Sequence, residues 1–431
     1  MIANHKFTRS EELLERACRT IPLGTQTFSK SPTQFPLGVS PYFIKRGKGS
    51  KVEDVDGNSY VDFINALAAI TLGYNDPDVT AAVTAMLEDG TIFSLAHPVE
   101  MEVAERIVEM VPCAEKVRFG KNGSDATAGC VRLARGFTRR DRIAVCGYHG
   151  WQDWYIGSTT RNLGVPQATQ DLTVRFAYND IESLAALFKK YPGEIAGVIM
   201  EPMNAVQPKP GFLENVQELA HANGALLIFD ETITGFRFAN GGAQEMLGVT
   251  PDLASFGKGL ANGYPVSAVA GRADVMKLME EVFFSFTYGG ETLSLAAAGA
   301  VLDKLKREPV VETLKTRGTS LVTGVDALIA KHGVGHFLST SGDPTWSFLN
   351  MKDTNGYDVW TIKTLFLQET IDRGILALGT HNMSYAHSEA DVASLLDCYD
   401  AVFPILRDAV DNRKLEHMLR CDPLKQLFTV R

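Results

Sequence analysis

Apolar residues recur along this chain in two rhythms, and the change between them divides it. Residues 9–20 mix polar and apolar positions at helical spacing, while 21–41 are rich in Pro, Gly, Ser and Thr and predict loop. Short runs at 42–46, 51–54 and 60–63 predict strands, with Asp56-Gly57-Asn58 as a hairpin turn. From about residue 77 short apolar runs alternate with helical patterns. The runs lie at 116–119, 142–146, 197–200, 225–229, 253–256 and 266–270. Between two of them Phe212, Leu213, Val216, Leu219 and Ala220 recur every three to four residues. Such alternation predicts an α/β fold around a mostly parallel sheet covered by helices on both faces. Ligands of such sheets bind beyond the carboxyl ends of the strands.

A helical stretch near 293–306 closes this region. Beyond it, helices at about 311–332, 357–374 and 389–412 mix with short strands at 345–351 and 374–378. The expected organisation is a large domain over 61–309 and a smaller one built from 310–431 packed with the N-terminal segment 1–60.

Composition narrows the function classes. Of 431 residues, 45% are hydrophobic and 22% charged, ordinary for a soluble enzyme able to bury a large core. Lys+Arg 42 against Asp+Glu 51 gives a net charge of −9, which argues against nucleic acid and anionic membrane as partners. No window approaches the roughly 18 apolar residues of a membrane span, and the N-terminal stretch has no signal-peptide core. The cysteines, Cys18, Cys113, Cys130, Cys146, Cys398 and Cys421, form no C-x-x-C pair and have no His at zinc spacing. They predict reduced thiols, no metal site and a cytoplasmic setting.

The candidate chemistry sits at strand ends. The run 225–229 leads into Asp230-Glu231, and a buried strand ending in two carboxylates is costly unless the charges are paired. A helix cap or a surface turn is the plainer reading. The next run ends in Gly257-Lys258-Gly259, a lysine open to a ligand. Together, two successive strands would bring a carboxylate and an amine to one crevice. That suits a cofactor needing a Schiff base at one end and an anion against a ring nitrogen at the other. Gly123 and Ser124, in Lys121-Asn122-Gly123-Ser124-Asp125-Ala126, open a helix at about 125–136 and offer either an anion site or a simple N-cap. Tyr148, in Tyr148-His149-Gly150-Trp151, follows a strand and could stack on a planar ring or belong to core or rim.

These motifs, with Glu201-Pro202, Phe229 to Arg237 (FDE-x-x-TGFR), Pro251 to Lys258 (PDL-x-x-x-GK) and Phe286 to Gly290 (FTYGG), occur in an order that resembles the class III pyridoxal-phosphate aminotransferases. Gly241-Gly-Ala-Gln-Glu245, Gly248-Val-Thr-Pro-Asp252 and Val55-Asp-Gly-Asn58 are similar to the glutamate-1-semialdehyde aminomutase branch. The resemblance covers about 20–430 and implies fold type I of the pyridoxal-phosphate enzymes. It implies that Lys258 bonds to the cofactor and then moves protons, and that Asp230 pairs with the pyridine nitrogen. Gly123 and Ser124 would hold the phosphate, Tyr148 and Thr232 would cover the two ring faces, and Glu201 would lie near the ring's edge. Thr287 would reach the phosphate of a neighbouring subunit, so a homodimer is expected. The implied partners are a small-molecule amino donor and a carbonyl acceptor.

Several positions depart from the family pattern. Thr232 replaces Val or Ile, Ser124-Asp125 replaces Thr-Glu, and Glu291-Thr292 follows the glycines in place of Asn-Pro or His-Pro. Where aminomutases carry an Arg in the N-terminal loop this chain has Lys30, a point charge without the bidentate fork. Where they carry Ser-Trp-Gly-Pro it has Ala66-Leu67-Ala68-Ala69. Both changes favour intermolecular transamination over the mutase reaction. No strand opens into G-x-G-x-x-G, which disfavours a nucleotide-binding oxidoreductase, and the presence of Lys258 and Asp230 disfavours a non-catalytic scaffold. His149, His381 and His387 read as hydrogen-bonded structural or rim residues. Arg237 could face a substrate carboxylate or brace its loop, and Asn382 could line the pocket.

Overall fold

The computed structural model describes residues 7–426. The described chain forms two compact units. One comprises 7–67, 71–76 and 312–426, and the other 68–70 and 77–311.

In the first unit the helix Thr8–Cys18 takes its N-terminal cap from a distant turn: Asp56 accepts the N–H groups of Arg9 at 2.7 Å and Ser10 at 2.9 Å. The loop that follows contains two short 3₁₀ turns, Pro22–Gly24 and Phe28–Lys30, the second ending at Lys30. Strands β1 (Ile44–Lys48), β2 (Lys51–Asp54) and β3 (Ser59–Asp62) form an antiparallel meander. The Asp54 carboxylate shapes its second turn by accepting from the N–H groups of Asp56 (2.9 Å) and Asn58 (2.8 Å).

After β3 the backbone does something its composition hides. Asn65, Ala66, Leu67 and Ala68 have φ of 46°, 48°, 61° and 66°, a left-handed turn without glycine. Each such residue costs roughly 1–2 kcal/mol. Buried hydrogen bonds offset this. Asp62 accepts from the N–H groups of Ile64 (2.7 Å) and Asn65 (3.0 Å), and the Asn382 amide donates to the Ile64 carbonyl at 2.6 Å.

The second unit holds a seven-stranded sheet. Its strands are β4 (Lys116–Gly120), β5 (Arg142–Cys146), β6 (Thr173–Arg175), β7 (Ile195–Met200), β8 (Leu226–Asp230), β9 (Leu253–Phe256) and β10 (Ser267–Gly271), in the order β4-β10-β9-β8-β7-β5-β6. Neighbours from β9 through β6 are parallel; β10 runs antiparallel to both β9 and β4. The sheet is thus mostly parallel, as the alternation predicts. Every residue of β7, β8, β9 and β10 is buried. Alternate residues feed two cores. Ile143, Val145, Ile199 and Ile228 pack on one face with Val131 and Leu133 of the helix Gly123–Thr138. Ala144, Val198, Met200, Leu227 and Phe229 pack on the other with Leu213 and Val216 of the helix Phe212–Ala222. A strand apolar at every position is what burial on both faces requires.

The chain then returns to the first unit. Strands β11 (Leu338–Asp343), β12 (Trp346–Met351) and β14 (Thr380–Asn382) make an antiparallel sheet, and β13 (Ile375–Leu376) joins β3 in parallel. The expected strand at 374–378 shrinks to β13, and the expected helix at 357–374 is Val359–Ile371, capped by Asp358 at 2.8 Å from the Thr361 N–H. The polar β11 and the short β14 carry no apolar alternation and were not expected. Among the described residues no helix is long and apolar enough to cross a membrane.

Candidate active site

Because β5, β7, β8 and β9 are parallel neighbours, their carboxyl ends lie side by side. Asp230 closes β8, paired across the ladder with Ser255 of β9, and Lys258 lies just beyond the end of β9. Glu201 follows β7, and Tyr148 and His149 follow β5, whose Cys146 pairs with Met200. The order of the strands therefore assembles the side chains.

Asp230 is 5% exposed, and donors surround it. Its Oδ1 accepts from the Thr232 hydroxyl (2.5 Å), the Thr232 N–H (3.1 Å) and the Ser255 hydroxyl (3.1 Å). Its Oδ2 accepts from His149 Nδ1 at 2.9 Å, and His149 Nε2 donates to the Cys146 carbonyl at 3.1 Å. Both imidazole nitrogens face acceptors, a pairing that only the doubly protonated ring satisfies in full. Burial works to raise the Asp230 carboxyl, but the His149 hydrogen bond and charge, with the Thr232 donors, hold it below the usual carboxylate range.

Lys258 sits in the left-handed region, φ 43°, between strand and 3₁₀ turn. Such a conformation in a non-glycine residue survives where its surroundings enforce it. Burial pushes its amine down to about 8, against the pull of Asp230 and Glu201 and helped by Arg237. An amine so placed exists in both protonation states near neutral pH.

Three turns meet beside these groups. A Cβ on Gly123 would lie 2.9 Å from Thr232 Cγ2, and one on Gly257 would lie 3.4 Å from the same atom. A Cβ on Gly150 would come within 2.2 Å of Ser124 Oγ, and that hydroxyl accepts from the Trp151 N–H at 3.3 Å. The helix Gly123–Thr138 begins at Gly123 itself, capped by Asn122, whose side chain accepts from the Asp125 N–H. Gly123 and Ser124 thus occupy its first turn, where backbone N–H groups have no partner within the helix and an anion is favoured. A cradle of glycines and first-turn donors, an ionised buried carboxylate and an amine poised near neutrality together suit a flat ring that carries an anion, a basic nitrogen and a carbonyl.

Glu201 is buried, with Oε2 3.4 Å from both the Tyr148 N–H and the Asn204 amide. Tyr148 is 43% exposed, and its ring meets Tyr155 edge-on at 5.6 Å. Thr287 lies on an exposed segment, and among the described residues no hydrogen bond links it to the group above.

Glu231 takes the plainer of its two readings. Its carboxylate accepts from the N–H groups of Ala243 (2.8 Å) and Gln244 (2.9 Å) and so caps the helix Ala243–Leu247. Arg237 is buried and donates to the Ala68 carbonyl at 3.4 Å. The departures from the family pattern have local causes. Asp125 completes a capping box by accepting from the Asn122 N–H at 3.0 Å. Glu291 caps the helix Thr292–Arg307 through the Leu293 N–H (2.8 Å) and pairs with Lys121 at 2.9 Å. The Thr232 hydroxyl gives Asp230 a donor that Val or Ile lacks. Two members of the group had no sequence-based role here: His149, read as structural or rim, and Ser255. Each has a faint signal, His149 its place one residue after Tyr148 and Ser255 its register opposite Asp230.

The aminotransferase class-III family profile matches residues 35–384. A 3-aminobutyryl-CoA aminotransferase of Cloacimonas acidaminovorans (strain Evry) is 33% identical over 398 residues, covering 90% of this chain and 95% of that protein. Among solved structures, the FumI protein of Sphingopyxis sp. MTA144, in its PLP internal aldimine form, is 29% identical with a TM-score of 0.86, covering 96% of this chain and 99% of that one. A glutamate-1-semialdehyde aminomutase of Pseudomonas aeruginosa PAO1 is 21% identical with a TM-score of 0.80, covering 93% and 95%; at that distance it shows the fold alone.

The electrostatics yield a first prediction. In cofactor-free protein the Lys258 amine should reach half-maximal acylation near pH 8. Glu201→Gln removes a negative charge that favours the ammonium, so the midpoint should move down. Peptide-resolved labelling across pH measures this, and an upward shift would contradict the balance of charges described.

Proposed function

The chain belongs to the class-III aminotransferases and is a pyridoxal-phosphate-dependent transaminase, and on that premise we propose that Lys258 binds the cofactor's aldehyde while Asp230 holds its ring nitrogen protonated. Gly123 and Ser124 take the phosphate, Tyr148 and Thr232 flank the ring, and Glu201 lies toward its edge. The supporting observation is the pair on adjacent parallel strands: a buried carboxylate kept ionised by His149 and Thr232, and an amine held near neutrality by burial. The residues fit the group. The first-turn cradle has no room for a Cβ at Gly123 or Gly150, and its donors match a phosphate.

Bound pyridoxal phosphate supplies an aldehyde that condenses with amines and a ring that draws electrons from the attached carbon. The protein supplies the rest. With the group in place, Lys258 Nζ would take a proton from the amine-bearing carbon of the donor and hand it on within the site, and in the second half-reaction would carry a proton to the carbonyl carbon of the acceptor. An amine near pH 8 suits both directions. Asp230 stays charged throughout because its four hydrogen bonds are in place before substrate arrives. The donor leaves as a carbonyl compound and the acceptor as an amine.

The substrate reading rests on two supports. The curated relative is named for an amino group on the third carbon of an acyl chain. This chain also has Lys30 and Ala66–Leu67–Ala68–Ala69 where aminomutases carry an Arg clamp and Ser-Trp-Gly-Pro. We therefore read the donor as an amine away from the α-carbon, passed between two molecules. The aminomutase reading is the lesser one.

A homodimer is the proposed unit, with Thr287 reaching the neighbour's phosphate. Phe283 (85% exposed), Leu95 (85%), Tyr288 (60%) and Met101 (58%) support it, since apolar side chains in such number on one unit call for a cover. Six free cysteines, Cys18 exposed among them, support a reducing cytoplasmic setting.

Donor amine alone should convert the bound cofactor to its amine form, with one equivalent of carbonyl product released before any acceptor is added. Absorbance and product analysis follow this, and borohydride reduction of the resting enzyme should label Lys258. Rapid donor-independent isomerisation of glutamate-1-semialdehyde, at the rate of the best acceptor, would restore the mutase reading. Mixing inactive Lys258→Ala chains with chains carrying a disabling Thr287 substitution should recover activity through hybrid sites. No recovery despite proven subunit exchange would count against a shared site.

A further inference from the structure

Beside the hairpin β11–β12 and the helix Val359–Ile371, wholly within the first unit, lies a cleft of about 300 Å³, a volume in the small-ligand range. Phe348, Met351, Trp360, Lys363 and Thr380 are among its walls. Trp360 and Lys363, three residues apart, share one helix face, and Lys363 Nζ lies 5.6 Å from the Trp360 ring centroid.

Two other well-buried cations of this protein have carboxylate partners, Lys304 with Asp78 at 3.2 Å and Arg373 with Glu369 at 2.8 Å. Among the described residues no carboxylate pairs with Lys363 and no hydrogen bond reaches it. Burial alone, with no neighbouring charge to oppose it, pushes the amine down to about 8. It therefore remains largely an ammonium at neutral pH, poorly solvated and without a counter-ion. Buried charges of that kind are stabilised by a paired anion. A single cation balances a single negative charge, and the aromatic walls favour a flat apolar body over a bare inorganic ion.

We propose that this cleft binds a small aromatic monocarboxylate, its carboxylate on the Lys363 ammonium and its ring against Trp360 and Phe348. None of its lining residues is among those assigned to amino transfer, so occupancy requires no turnover.

Holoenzyme, trace-labelled with acetic anhydride at pH 8 and mapped by peptide mass spectrometry, tests this with phenylacetate as the probe. Lys363 should label faster than exposed lysines, because more of its amine is neutral. At about ten times the half-saturating phenylacetate concentration its labelling should fall about tenfold, with other lysines unchanged. Trp360→Leu should weaken that protection by about tenfold, and Phe348→Leu provides the same comparison should the first variant misfold. Labelling of Lys363 indifferent to phenylacetate would overturn the proposal. So would protection by sulfate equal to that by phenylacetate, since the aromatic walls would then contribute nothing.

Discussion

A carboxylate stays charged inside a protein only if donors are in place around it, and Asp230 has four. The strand β8 ends there, and everything near it is arranged about that end. His149 comes from the turn after β5, two strands away in the sheet, and Ser255 from the neighbouring β9. Thr232 comes from the turn that Asp230 itself begins. Removing any one donor leaves part of a buried charge unsatisfied, a penalty of about 1–3 kcal/mol or more for a charged group. That constraint ties the register of β8 and β9 to the electrostatics of the site: a slip of one residue would turn Asp230 toward the other face.

Lys258 is tuned by the same arrangement with opposite sign. Burial drives its amine down, and the charges on Asp230 and Glu201 restrain the fall, leaving it near 8. One strand pair thus produces an acid held ionised and a base held close to neutrality, the combination that repeated proton transfer at one carbon requires.

The parallel sheet and the places of Asp230 and Lys258 were legible because they follow from local patterns. Runs such as 226–229 are apolar at every position, and a polar residue at the end of such a run, here Asp230, stands out. What could not be read depends on partners distant in sequence. Asp230 and Glu231 are adjacent, yet one faces His149 and the other caps a helix twelve or more residues on, a division set by which way each side of the turn faces. The left-handed turn at Asn65–Ala68 was hidden because alanine and leucine give no sign of positive φ, and its supports come from Asp62 and Asn382. The strands β11 and β14 were missed because polar side chains such as Ser339, Ser341 and Thr380 break the apolar alternation.

The central claim is that the charge on Asp230, held in place by its donors, drives the reaction. A single-turnover measurement of Asp230→Asn holoenzyme with saturating amine donor tests it directly, because it isolates the first half-reaction from binding and product release. The account predicts a fall of at least about a hundredfold in that rate, with Lys258 still attached to the cofactor and the fold unchanged. A rate within a few-fold of the parent enzyme would contradict it.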